Sequence, residues 1–304
     1  MYYVRRLLFL IPLLLIISMV AFGLMRLAPG GPFDKERAPA SPEIERNIKA
    51  KYHLDKSIHE QYLIWLSGVV KGDFGPSLKY RSHTVTEIIL NGLPITLLIG
   101  GLSLCFALGI GIPLGFITAV KKGQWEDYLG STLSILAICI PALVVGPILV
   151  MVFAVHWKVF PVALVGGVQH LVLPTITLGL YFAGRVARLM REGMLGILDA
   201  EFITAARAKG VSERDILTRH AFRIGVLPVV SYSGPLLADL MIGSFVVEKL
   251  FLIPGIGVFL VNSSLNRDYT MLISLVLLYA VVLLVANLLV DLAYSYLDPR
   301  VKFE

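Results

Sequence analysis

Six long stretches of the chain carry almost no charged side chains. Each is close to or above the roughly 20 residues that an α-helix needs to cross a bilayer, so the pattern predicts about six membrane helices. The second and fourth helices are expected to begin inside their stretches. In order, the stretches cover residues 7–25, 88–120, 128–155, 159–184, 224–247 and 270–290. Four prolines are expected to kink or bound these helices: Pro94, Pro141, Pro147 and Pro174.

The composition agrees with a chain that is solvated mostly by lipid. Hydrophobic residues make up 57% of the sequence and charged residues 16%, against about 25% charged residues in an average soluble protein. Arg5 and Arg6 precede the first stretch, as in a secretory signal, but its apolar run is too long for one and no A-x-A cleavage site follows it directly. We therefore expect a retained first helix and an all-α membrane protein.

The basic residues indicate which side of the membrane each loop faces. Lys and Arg collect in alternate loops, which is typical of cytoplasmic loops, and residues 185–223 alone carry eight of them. Both termini and the loop with Lys121 and Lys122 fall on the same, cytoplasmic side. The net charge of +6 reflects this segregation and does not indicate a nucleic-acid surface. The opposite short loops hold little more than Lys158, Lys249 and Arg267.

Residues 30–87 are predicted to form a small external cap between the first two helices. The segment holds nine basic and eight acidic residues, but long loops cross the membrane largely regardless of charge. Its aromatic residues Tyr52, Tyr62 and Trp65 favour a folded unit, and a solvated linker is the alternative.

Motifs for catalysis or nucleotide binding are lacking. No G-x-x-x-x-G-K-[ST] phosphate loop occurs, since Gly is never followed by Lys. Gly109 and Gly111 lie inside an apolar helix, where small residues favour close helix packing. The histidines of the external segment, His53, His59 and His83, match no common metal-ligand spacing. The sequence therefore gives no case for an enzyme or for a bound metal.

The most informative polar segment covers residues 199–228. Asp199 is placed to cap a short helix, and Gly210 suits a left-handed helix stop. Ser212 and Asp215 then resemble a capping box that begins a second helix. The first helix is rich in alanine, so it is able to lie close in a groove of another protein. An ordinary basic loop at the membrane surface is the alternative.

One motif in this helix resembles a known family. Thr204-Ala205-Ala206-x-x-x-Gly210 resembles the E-A-A-x-x-x-G coupling loop of ABC importer permeases, with Thr204 at the glutamate position. In that family the loop docks into a cleft on a cytoplasmic ATPase, and Phe202 would be an anchor in it. The resemblance implies ATPase-coupling roles for Phe202, Thr204, Ala205, Ala206, Arg207, Lys209 and Gly210.

Further motifs resemble the oligopeptide/dipeptide branch of that family, OppB type. They include Gly72-Asp-Phe-Gly-Pro-Ser77, Ile253-Pro-Gly-Ile-Gly257 and Leu265-Asn-Arg-Asp-Tyr269, and similar motifs run over nearly the whole chain. The resemblance implies a heterodimer with a second, homologous permease, two cytoplasmic ATPase subunits that bind ATP and Mg, and an extracytoplasmic peptide-binding protein. It also implies a multi-pass protein of the bacterial cytoplasmic (inner) membrane that binds no cofactor itself.

The implied cargo is an oligopeptide, with dipeptides or nickel as alternatives in the same family. Asp239 interrupts the fifth stretch and is expected on the translocation path, because intramembrane charge is costly and often functional; snorkelling or structural pairing is the alternative. One rival from another class is an ion-coupled secondary transporter, which would need a chain of intramembrane charges. A membrane receptor or scaffold is a second rival.

The expected organisation has three parts. Residues 1–29 form the first transmembrane helix, residues 30–87 the external cap, and residues 88–304 a five-helix permease core that includes the coupling loop 199–223.

The topology can be tested by cysteine labelling in intact cells. Single cysteines replacing Ser57, Gly123, Ser212 and Ser263 are expected to react from the outside, inside, inside and outside, because basic loops stay in the cytoplasm. Labelling of position 57 from the cytoplasm would overturn this topology.

Overall fold

Ten helices account for most of the described chain. The fold is known from a computed structural model, which defines residues 2–27, 50, 53, 55–80, 82–162 and 166–297. The helices are α1 (Tyr2–Leu27), α2 (Ile58–Val70), α3 (Val85–Val120), α4 (Trp125–Cys139), α5 (Ala142–Leu149), α6 (Val168–Leu198), α7 (Glu201–Ala208), α8 (Leu227–Leu250), α9 (Gly257–Asn266) and α10 (Tyr269–Leu297). A π-helix, Val150–His156, continues α5. Between α7 and α8 lies a connector, residues 212–226, which contains the π-helix Ile216–Ala221.

The described helices supply the predicted spans. Five of them, α1, α3, α6, α8 and α10, are long and apolar enough to cross a membrane, and α4 with the helix after it forms a sixth candidate, bent by 103°. The bend falls at Pro141, which has no backbone N–H and disfavours the helical conformation of the residue before it. The predicted fold class, an all-α membrane protein with about six spans, is confirmed.

The second span begins earlier than the apolar pattern predicted. α3 begins at Val85, ahead of the stretch 88–120 rather than inside it. The backbone N–H of Glu87 donates to the Thr84 hydroxyl (3.2 Å) and that of Thr84 donates to the Glu87 carboxylate (3.1 Å). This reciprocal cap places a charged residue favourably in the first turn, which a search for uncharged residues cannot detect. α6 begins inside its stretch, as expected, at Val168.

Packing divides the chain into two units, which are described separately. The first comprises Met1–Thr96 and Pro254–Val282, and the second comprises Leu97–Ile253 and Leu283–Glu304. α3 and α10 contribute residues to both units. The three-part division from the sequence stays a prediction, and residues 30–49 of the expected cap lie outside the described residues.

A buried carboxylate organises the first unit. Asp268 lies between α9 and α10 and is fully buried. It accepts hydrogen bonds from the Ser77 hydroxyl and from the backbone N–H groups of Leu78 (3.1 Å), Lys79 (3.2 Å) and Met271 (3.2 Å). Two of the motifs that carried the resemblance meet here, so the segment that follows α2 is fixed to the beginning of α10.

α2 belongs to the same unit and packs through aromatic residues. The Tyr62 ring meets Phe22 of α1 edge to face, with 5.4 Å between ring centroids, and Ile273 completes the cluster. The Tyr62 hydroxyl lies 2.9 Å from that of Ser18. Tyr62, one of the aromatics that favoured a folded unit, is thus part of a core, whereas Tyr52 lies outside the described residues.

The burial of α9 changes one position in the labelling experiment. Ser263 is 1% exposed, so a cysteine there would be poorly accessible to reagent. Ser264, the next residue of α9, is exposed and is the better probe.

Replacing Asp268 with asparagine is expected to destabilise the first unit. The amide of Asp268→Asn would turn a donor toward backbone N–H groups that now donate to a carboxylate, and an unsatisfied buried donor costs about 1–3 kcal/mol. The purified protein should unfold at a lower temperature and become more sensitive to protease near residue 78. Asp73→Asn is the matched control, because Asp73 is exposed and an amide oxygen can still accept from Gly75 N–H. Equal midpoints for both variants would contradict the role of Asp268.

Candidate functional site

α6 is longer than a bilayer requires and carries the chain out of it. The apolar stretch predicted from the sequence ended at residue 184, but the helix runs on to Leu198 and has 31 residues. At 1.5 Å per residue this corresponds to about 46 Å, against about 30 Å for the hydrocarbon core. The last turns of α6 therefore project beyond the core, and α7 begins three residues later.

α7 ends in a Schellman motif centred on Gly210. The N–H of Gly210 donates to the Arg207 carbonyl (2.9 Å) and that of Val211 to the Ala206 carbonyl (3.2 Å). Gly210 has φ +77°, which confirms the predicted left-handed stop. A Cβ added there would meet no atom within 4 Å. Backbone conformation and not lack of space therefore favours glycine at this position.

The predicted cap at the beginning of α7 is wrong. Asp199 is the C-terminal cap of α6, with φ −92° and ψ 2°, and Ala200 occupies the N-cap position of α7. Because α6 continues to Leu198, Asp199 takes a helix-end conformation instead of the extended one that an N-cap needs. α7 thus begins without a side-chain cap, so its position depends on other contacts.

Polar contacts at the beginning of the connector fix the end of α7. Ser212 accepts from Asp215 N–H (3.2 Å), which confirms the predicted N-cap, and donates to the Asp215 carboxylate (2.7 Å). The Ser212 hydrogen bond holds the pKa of Asp215 below its usual range. Arg207 Nε donates to Glu213 Oε1 (2.7 Å). Both partners of this pair are exposed, so it orients α7 more than it stabilises it.

The two faces of α7 differ sharply in burial. Ile203 is fully buried, whereas Phe202 on the open side is 43% exposed. Sequence reasoning chose Phe202 as the anchor and missed Ile203, although Ile203 is the only large aliphatic residue of this eight-residue helix. The other predicted residues lie at the surface: Thr204, Ala205, Arg207, Lys209 and Gly210 are exposed and Ala206 is half-buried.

The connector packs α7 against the membrane helices of the second unit. α7 contacts the π-helix of the connector, in which Ile216 is fully buried. The Phe222 ring lies 5.9 Å from that of Phe116 of α3. A Cβ added at Gly225 would lie 2.7 Å from the Met194 sulfur of α6, so connector and helix approach closely. The connector therefore links α7 to α3 and α6.

An ion pair between the buried Asp127 and the half-buried Arg191 joins the beginning of α4 to the end of α6. Arg191 donates two hydrogen bonds to Asp127, from Nε (2.8 Å) and from NH2 (2.9 Å). Asp127 is 5% exposed and also accepts from Gly123 N–H (3.0 Å) and the Ser131 hydroxyl (3.1 Å). The sequence identified Arg191 only as one of the basic residues that set orientation. The pair holds the loop before α4 beside the segment that leads to α7.

Asp239 lies at the middle of α8 and at the surface. It is exposed, while its neighbours Ala238 and Leu240 are buried. No salt bridge to it occurs in the part of the chain that the structure describes. The sequence-predicted residues thus fall into two places, with Asp239 halfway along a span and the others on or next to α7.

Comparisons with known proteins identify relatives of the whole chain. Residues 111–303 match the family model described as "Binding-protein-dependent transport system inner membrane component", and residues 1–100 match the model of its N-terminal part. The chain is 37% identical to "Oligopeptide transport system permease protein OppB" of Haemophilus influenzae, over 98% of each chain. It is 38% identical to "Dipeptide transport system permease protein DppB" of Bacillus subtilis, over 95% of this chain and 94% of that protein.

Solved structures with the same fold are more distant. The MetNI methionine ABC transporter in an inward-facing conformation matches with a TM-score of 0.57 and 18% identity, over 69% of this chain and 96% of that one. An amino acid ABC transporter with histidines matches with a TM-score of 0.51 and 17% identity, over 76% and 98% of the two chains. At these identities the likeness concerns the fold alone.

Proposed function

Because the chain belongs to the family of binding-protein-dependent transport system inner membrane components, we propose that it lines one half of a path for short peptides. It is a permease subunit of a bacterial ATP-binding-cassette importer and a multi-pass protein of the inner membrane. This assignment replaces the ion-coupled carrier and the scaffold as interpretations.

The proposed cargo is an oligopeptide, and a dipeptide is the second candidate. Relatives named as oligopeptide and dipeptide permeases match at 37% and 38% identity over nearly the full length. Such similar values support peptide cargo without separating long peptides from short ones. Nickel has no comparable observation in its favour.

The proposed partners are a second, homologous permease, two ATPase subunits that bind ATP and Mg, and an extracytoplasmic peptide-binding protein. α7 carries the strongest support for the ATPase contact, because it stands beyond the bilayer core on the end of α6 and turns an open face away from Ile203. That face presents the Phe202 ring and the small Ala205. An exposed aromatic beside small residues suits a protein interface.

In this proposal α7 transmits ATPase movement to the spans. ATP binding closes the ATPase subunits, and α7 moves with them because it sits in their clefts. The connector then passes the displacement to α6 and α3 through the contacts of Phe222 and Gly225. The permease pair alternates between outward and inward openings, which requires that ATP bind the two states with different affinities.

The proposed orientation puts α7 in the cytoplasm and the segment after α2 outside. In each unit a buried carboxylate has partners that support this arrangement. Asp127 joins two regions that the basic residues assign to the cytoplasm, and Asp268 joins two regions assigned to the outside. The outer segment, including α2, would then help to receive the binding protein. Asp239 would face the path or the second permease, since a carboxylate exposed to hydrocarbon is costly.

Gly210→Val and Ala205→Glu are expected to uncouple peptide uptake from ATP hydrolysis. A β-branched residue at φ +77° is strained by about 1–2 kcal/mol, which is enough to misplace α7 and too little to prevent membrane insertion. Ala205→Glu adds bulk and charge to the open face.

The complete complex is reconstituted with ATP on the ATPase side and binding protein with labelled peptide on the other, at equal amounts of complex. Wild-type uptake should require both ATP and the binding protein.

Gly123→Val is the matched control for backbone strain. Gly123 has φ +78° and equally open surroundings, but it lies before α4 and not at the end of α7. Its substitution should therefore leave most of the peptide uptake per ATP intact. Parental uptake by both Gly210→Val and Ala205→Glu would rule out α7 as the coupling element. Absence of ATP-dependent peptide uptake by the wild-type complex would overturn the proposed function itself.

A further inference from the structure

A polar groove runs along the second unit between α6 and α8. Its volume is about 720 Å³. α6 contributes Tyr181, Arg185 and Arg188 to its lining, and α8 contributes Ser231 and Tyr232. The rest of the lining is Glu192 and four apolar residues, Ile138, Leu189, Pro228 and Pro235.

Arg185 differs from its arginine neighbours on α6 in having no acidic partner. Arg188 pairs with Glu192 (3.6 Å), and Arg191 with Asp127. The Arg185 guanidinium instead lies 4.9 Å from the ring centroid of Tyr232 and 5.8 Å from that of Tyr181. Among the described residues no carboxylate forms a salt bridge with it. The two rings hold the cation in place and leave its N–H donors unmatched by any acid.

A second polar group beside Arg185 also lacks a partner. The Tyr232 hydroxyl is buried and has no hydrogen-bond partner in the described part of the chain. Buried hydroxyl groups are normally hydrogen-bonded. Two donors of the groove, one of them cationic, are therefore available to an oxygen-rich anionic group.

An opposite charge lies farther along the same stripe of α8. Asp239 follows Tyr232 by seven residues, which is two helical turns and about 10 Å along the axis. Residues seven apart lie on the same helix face. Asp239 is exposed on that face. The cationic site beside Tyr232 and the carboxylate of Asp239 are therefore about 10 Å apart along the axis of α8, roughly the length of three extended peptide residues.

We propose that Arg185, with Tyr232 beside it, binds the C-terminal carboxylate of a peptide in transit. This inference rests on the proposed peptide cargo and names the part of the peptide that the permease itself recognises. The carboxylate is common to all unmodified peptides, so a site for it is compatible with varied side chains. The planar guanidinium matches the two oxygens of a carboxylate. Asp239, at the other end of the stripe, attracts the N-terminal ammonium of a short peptide.

The test compares a labelled tripeptide that has a free carboxyl end with its C-terminal amide. Uptake of both is measured in the reconstituted complex for the wild type, Arg185→Gln, Arg185→Lys and Arg188→Gln. The ratio of the variant's uptake rate to that of the wild type is compared between the two peptides, so that any preference of the binding protein for one of the peptides cancels. Arg185→Gln should slow the free peptide roughly ten-fold more than the amide, the value of one charge-assisted hydrogen bond. Arg185→Lys keeps the charge but not the planar fork, so it should retain only part of the discrimination.

Arg188→Gln is the control on the same groove wall, and it should change the rates of both peptides by the same factor. The proposal is overturned if Arg185→Gln also slows acid and amide equally, or if it slows neither. A lipid phosphate is the other source of anionic oxygens. If Arg185→Gln acts only in vesicles with anionic lipid, and equally on both peptides, the site binds lipid and the proposal fails. Uptake of the free peptide by the wild type shows that the proposed function stands even then.

Discussion

Close approach of helix backbones to α6 is the constraint on which the second unit depends. A Cβ added at Gly179 would lie 3.0 Å from a carbonyl oxygen of α3, and one at Gly184 would lie 2.6 Å from a carbonyl oxygen of α4. A Cβ at Gly193 would overlap the Gly225 carbonyl of the connector. Because lipid is as apolar as the side chains, helices in a membrane associate through such packing and not through the hydrophobic effect. α6 is thereby the helix against which α3, α4 and the connector pack.

Buried carboxylates hold loops in each of the two units. Asp127 holds the beginning of α4 to Arg191 near the end of α6, and Asp268 gathers the backbone donors that follow Ser77 at the beginning of α10. Removing Arg191 would leave the buried Asp127 carboxylate without its cationic partner, which costs more than the loss of an exposed pair such as Arg207 with Glu213. A few buried carboxylates thus fix the positions of the loops, whereas close packing at glycines fixes the positions of the spans.

The sequence predicted the membrane helices well because apolar length is a strong and local signal. It also predicted the helix stop at Gly210 and the cap at Ser212, since both depend on the conformational preferences of single residues. It failed where the outcome depends on partners distant in sequence. Gly109 was taken with Gly111 as a packing pair, yet a Cβ at Gly109 meets nothing, whereas one at Gly111 would lie 2.7 Å from the Ala183 carbonyl.

The same limit explains the errors around α7. How far α6 extends beyond the bilayer depends on its packing. Because α6 continues to Leu198, Asp199 ends α6 instead of capping the beginning of α7. Which of Phe202 and Ile203 turns inward is decided by the connector, whose irregular π-helix has no simple sequence signature. Which face of each span meets lipid, and which residue pairs with Asp127, can likewise be determined only from the assembled fold. The candidate coupling residues were found by resemblance, whereas their geometry came from the structure.

We propose above all that Ile203, fully buried in a helix that packs on the connector, keeps α7 in position while the open face of α7 meets the ATPase. The decisive measurement is the number of peptides transported per ATP hydrolysed by Ile203→Ala, with Glu201→Ala, at an exposed position of α7 outside the candidate coupling residues, as the control. Removing a fully buried aliphatic side chain leaves a cavity that costs about 2–5 kcal/mol, so α7 should loosen while its ATPase-facing surface stays unchanged. We expect continued ATP hydrolysis with several-fold fewer peptides transported per ATP for Ile203→Ala, and parental values for the control variant. An unchanged ratio for Ile203→Ala, at equal amounts of assembled complex, would contradict this proposal.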